Sequence, residues 1–144
     1  MIEKDTIRLL RECDAGIKMG ISSIDDVMDF VCAEMFRMCL KKCKSEHEKL
    51  QDRINTLLRQ YEDEGKEPNP ISKGMSWIKT NLSLAVDNSD QTVADLMTEG
   101  CNMGIKSLNK YLNQYTEADE EAKSIAKELI AIEQSLVDDV KEYL

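Results

Sequence analysis

A chain of 144 residues falls within the size of one domain and is long enough to bury a hydrophobic core without covalent staples. Charged residues make up 33% and aromatics only 5%, with two prolines and six glycines, a composition that suits long helices and lacks the residues sheets and their turns require. The formal charge of −9 argues against nucleic acid, whose backbone is bound by clustered Lys and Arg, and no apolar run approaches the roughly 20 residues that cross a bilayer.

The opening stretch, MIEKDTIRLL, places charges where a signal peptide has its apolar core. Five cysteines, Cys13, Cys32, Cys39, Cys43 and Cys101, form no C-x-x-C pair; an odd number without an export signal reads as reduced thiols of a cytoplasmic protein. From Ile7 the apolar residues step by three and four through Leu10, Cys13 or Asp14, Ile17, Ile21, Ile24, Met28 and Val31, the stripe of a helix. A second stripe runs Cys32, Phe36, Cys39, Cys43, His47, Leu50, Ile54, Leu57 or Leu58, and Tyr61. A tight turn at 29–33 separates the two, because one helix through Tyr61 is too long for a domain of this size.

EDEGKEPNP (62–70) holds a glycine and both prolines and is a connection. The following ISKGMSWIKTNLSLAV (71–86) reads as a short amphipathic helix around Met75, Trp77, Ile78, Leu82 and Val86, anchored by the lone tryptophan. Asn88 and Ser89 offer an N-cap for a third long helix with the stripe Val93, Leu96, Gly100, Met103 or Gly104, Leu108 and Leu112. Thr116, with Asp119 three residues on, is similar to a capping box that opens the last helix through Ile125, Leu129, Ile132, Leu136, Val140 and Tyr143. The acidic runs DEEAK and DDVKEY on that helix read as a solvated face.

The expected architecture is all-α: an antiparallel four-helix bundle of two hairpins, about 3–62 and 89–144, joined by a long crossover at about 63–88 that carries a short extra helix. CDAGIK (13–18) nearly repeats as CNMGIK (101–106), 88 residues apart. At equal rise per residue, a turn centred near 31 sets position 14 opposite 48, and one near 117 sets 101 opposite 133. Each repeat then shares a depth with a polar position, Glu46-His47-Glu48 or Glu133-Gln134. Gly16, Gly20, Gly100 and Gly104 cost about 1 kcal/mol each relative to alanine, which predicts close packing of the first and third helices or room for a neighbour such as Met103 or Tyr111.

Two hairpins with a crossover, and polar groups at mid-bundle, resemble the ferritin-like superfamily, and more closely its small bacterial members. The motifs that carry the resemblance are Asp14-Ala15-Gly16 on the first helix, GMSWIK (74–79) in the crossover and the Gly-x-x-x-Gly-Ile-Lys motif of 100–106, within a span from about Thr6 to Tyr143. Metal-binding members use a Glu on each of two helices and Glu-x-x-His on the other two. The resemblance sets Asp14, His47, Cys101 (or Asn102) and Glu133 at those positions, but Lys44 and Leu136 stand where a glutamate and a histidine are needed. With one histidine in the chain, the di-iron site is degenerate.

Cys13, Asp14, His47 and Cys101 are residue types that zinc accepts, yet adjacent Cys13 and Asp14 point about 100° apart. The competing expectation is a buried His47 hydrogen-bonded to Asp14, Glu133 or a water. The ladder Cys39, Cys43, His47 reads as apolar filling rather than a metal site, and a Cys43–His47 nucleophile has no oxyanion donors inside a helix. These residues point to a non-catalytic binding or structural module with no cofactor, meeting a second copy or a protein partner through a helical face. The alternatives are a divergent iron or zinc protein and a thiol redox protein, the latter needing a cysteine of depressed pKa.

Overall fold

The computed structural model describes residues 2–66, 77–85, 87 and 89–144. Among them all regular structure is helical: α1 (Ile2–Met28), α2 (Glu34–Gln60), α3 (Trp77–Leu84), α4 (Asp90–Gln114), α5 (Glu120–Val140) and a closing 3₁₀ turn, Lys141–Tyr143. The helix starting within 71–76, Met75, Val86 and Asn88, and 67–70 of the connection, lie outside the described residues.

The apolar stripes bury the faces their spacing selects. On α2 these are Phe36, Leu40, Cys43, His47, Leu50, Ile54 and Leu58. Leu40 takes the inward place that the stripe assigns to Cys39, which is half-buried, and Cys32 is exposed. Residues 29–33 do form the first turn, with the Phe30 N–H donating to the Val27 carbonyl at 2.9 Å and Val31 buried beneath it. Ala33 opens α2 without a side-chain cap of its own. Asp90 substitutes for one: its carboxylate accepts the Cys32 N–H at 2.7 Å and the Ala33 N–H at 2.9 Å.

Ser89 caps α4, accepting the Thr92 N–H at 3.3 Å. The cap of α5 lies one turn later than the Thr116 box implies, because Asp119 itself accepts the Ala122 N–H at 2.8 Å. Glu120 and Glu121 then occupy the first turn, where the helix dipole favours acids. The α4–α5 turn is held from the far hairpin as well: Asp119 N–H donates to Thr6 Oγ1 at 2.8 Å and Glu117 N–H to Asp5 at 3.1 Å.

The helices joined by short turns, α1 with α2 and α4 with α5, pack most extensively on each other; α2 and α1 also pack on α5, and α3 lies against both α1 and α4. Ile78 and Leu82 carry α3 into the core, deeper than Trp77, which is half-buried against the backbone at Gly100. The core has two apolar halves. One gathers Ile24, Val27, Phe36, Leu40, Val93, Met97, Leu136 and Val140 around α3, and the other Leu9, Leu10, Ile17, Ile54, Leu108, Ile125 and Leu129.

Candidate functional site

The boundary between those halves falls, on every long helix, at a glycine or a polar residue. Gly20 lies between Ile17 and Ile24, His47 between Cys43 and Leu50, Gly104 between Cys101 and Leu108, and Glu133 between Leu129 and Leu136. His47 is 2% exposed and Glu133 9%. A Cβ on Gly20 would stand 2.7 Å from His47 Nε2, and one on Gly104 would stand 2.7 Å from both Glu133 oxygens. Each hairpin therefore seats a polar head from its second helix on a glycine of its first. That, rather than room for Met103 or Tyr111, is the use of these two glycines; Gly16 and Gly100 meet only Leu129 and Trp77, at 3.9 and 3.7 Å.

His47 Nδ1 donates to the carbonyl of Cys43 at 2.8 Å, one turn back in its own helix. This partner takes the place of the expected Asp14 or Glu133, and it fixes the proton on Nδ1, leaving Nε2 an acceptor without a partner among the described residues. Burial lowers the imidazole's pKa, so the ring is held neutral. Cys43 Sγ lies 3.6 Å from Nδ1, the nitrogen already donating to the carbonyl, so His47 is not set to draw a proton from this thiol. Burial pushes the Glu133 carboxyl up to about 8, so at neutral pH it is mostly a protonated acid. Its Oε2 has no hydrogen-bond partner among the described residues.

Three thiols feel Glu133. Burial pushes Cys13 and Cys43 up to about 12 and Cys101 higher still, with the glutamate raising each further. Cys39 is shifted upward too, first by burial. None of these four has the depressed pKa that a thiol redox centre requires.

Asp14 is buried to 1% exposure but faces elsewhere. Its Oδ2 lies 2.9 Å from Lys18 Nζ, one turn along α1, and accepts the Lys66 backbone N–H at 3.0 Å. The repeat's carboxylate thus anchors the loop after α2 instead of joining His47. Gly65 makes this approach possible: its φ of +87° is a left-handed conformation, and a Cβ there would collide with the Asp14 carboxylate. The equal-rise register fails because residues 31–33 are not helical. Non-helical chain, with Ala33 extended, advances more per residue than the roughly 1.5 Å of a helix, and His47 comes level with Gly20.

Of the four positions assigned by resemblance, His47 and Glu133 reach the boundary layer, Cys101 lies close enough to Glu133 to feel its charge, and Asp14 is turned away. Among the described residues no three His, Cys, Asp or Glu side chains are grouped to hold a metal ion. Lys44, which stands on α2 where the motif ending at His47 needs an acid, pairs with Asp25 of α1 at 2.7 Å on the surface. No described helix is long and apolar enough to cross a membrane. Comparison with protein-family models, curated proteins and solved structures finds no match to this chain.

Proposed function

We propose that the protein is a non-catalytic binding or structural module built as a ferritin-like four-helix bundle whose metal positions have become part of the core. The observation that carries this reading is the pairing of His47 with Gly20 and of Glu133 with Gly104, while Asp14 is committed to Lys18 and Lys66. Residues that grip a metal in the superfamily act here as seated, uncharged core groups or as a loop anchor. The packing of α3 against α1 and α4 and the reciprocal ties between hairpins support the bundle assignment. Phe30, Met35 and Met38, exposed around the first turn and the start of α2, offer the apolar surface such a module would present to a partner.

The rival, iron or zinc held by Asp14, His47, Cys101 and Glu133, is separated by metal analysis of protein purified without chelator. The expected result is iron and zinc well below one ion per chain, unchanged in His47→Ala and Glu133→Gln variants that keep their helical circular dichroism. Stoichiometric metal in the wild type that disappears in either folded variant overturns the proposal.

A further inference from the structure

The buried Asp14 network has a consequence at the surface. By holding the Lys66 backbone, it brings that residue's side chain over the first half of α1, where a pocket of about 220 Å³ is lined by Arg8, Arg11, Glu12, Lys66 and Tyr115. Three of the five lining side chains are cationic in a chain of net charge −9. The lining carboxylate, Glu12, is already paired with Lys66 at 2.5 Å. Arg11 approaches Asp63 only loosely, at 3.7 Å, and Arg8 has no acidic partner among the described residues.

Arg8 and Arg11 are three apart and so share one face of the helix. Their guanidinium groups offer planar forks suited to oxyanions, and Lys66 adds a point charge across the opening. The volume lies below the roughly 300–1,000 Å³ of drug-sized sites, matching a group the size of phosphate with little attached. We propose that this pocket binds a small phosphate-bearing anion through Arg8, Arg11 and Lys66, with Tyr115 as its aromatic wall. A dianion spans both guanidinium groups and shares Lys66 with Glu12, whereas a monocarboxylate is matched by a single fork. The inference is independent of the ferritin-like reading, since none of the boundary-layer residues touches this pocket.

Titration calorimetry with inorganic phosphate, and separately with a three-carbon phosphate monoester, tests it. Saturable binding near 1 mM or tighter is expected for at least one of the two, and whichever binds tighter identifies free phosphate or an organic phosphate as the ligand. Arg8→Ala should weaken binding about tenfold and Arg8→Ala/Arg11→Ala abolish it, while Arg59→Ala, outside the pocket, leaves it unchanged. Both pocket arginines are exposed, so these variants retain the fold. Acetate should bind at least about tenfold more weakly than phosphate. No saturable phosphate or monoester binding, equal affinity for acetate, or an Arg8→Ala variant indistinguishable from wild type would each sink the proposal.

Discussion

Gly20 and Gly104 show how a residue that weakens a helix locally can be required by what lies opposite it. A methyl at Gly20 meets the His47 ring at 2.7 Å, and that ring is held by its bond to the Cys43 carbonyl, so it has little freedom to retreat. Gly16, one turn earlier on α1, has its nearest neighbour at 3.9 Å from the same hypothetical methyl. The two glycines should therefore respond to alanine with opposite signs. Gly16→Ala is expected to stabilise the protein by up to about 1 kcal/mol through helix propensity. Gly20→Ala should destabilise it by about 1–3 kcal/mol through overpacking, after that same gain is set against it, and Gly104→Ala, whose methyl meets only the flexible end of the Glu133 side chain, should cost less. Urea denaturation of the three variants checks this; a stabilised Gly20→Ala would mean that His47 moves aside freely.

At the scale of elements, the two hairpins are tied at both ends by the first turns of their leading helices. Asp90 of α4 holds the α1–α2 turn, and Asp5 and Thr6 of α1 hold the α4–α5 turn. Because Ala33 brings no cap of its own, Asp90→Ala leaves two N–H groups at the start of α2 without their carboxylate and should cost about 1–2 kcal/mol. Asp90→Asn, keeping one acceptor oxygen, should recover part of that loss, and equal midpoints for all three proteins in urea would show that water replaces the clamp without penalty. The four long helices and the 29–33 turn were legible in the sequence, since three-and-four spacing reports one helix face directly. Register was not, because it depends on the rise of the non-helical residues 31–33, which no periodicity encodes. Nor was the Asp14–Lys66 contact, which needs the left-handed Gly65 to bring a distant loop against α1. The repeat pairs Gly16 with Gly104, but only Gly104 seats a polar head; its counterpart on α1 is Gly20, one turn beyond the repeated hexapeptide.

Over the whole molecule, the seam between the two core halves holds two titratable groups that are buried uncharged, and their linkages run in opposite directions. The His47 pKa is lowered by burial, so below its ordinary 6.5 the unfolded chain takes up a proton that the folded ring refuses, and stability falls with falling pH. Glu133 is raised from 4.5 to about 8, so across that interval the folded state keeps a proton that the unfolded chain has released. Its contribution is complete below 4.5 and declines as pH rises to about 8, by an amount on the order of a few kcal/mol. Between 4.5 and 6.5 the two slopes oppose each other; from 6.5 to 8 Glu133 acts without the opposition of His47. The buried thiols join only above their unfolded value of 9.0, outside this window. Wild-type stability should therefore fall between pH 6.5 and 8, and Glu133→Gln, which has the same shape and no proton to lose, should be flatter there. Urea midpoints at half-unit pH steps decide the matter, and parallel wild-type and Glu133→Gln profiles would place the Glu133 carboxyl in contact with solvent rather than in the seam.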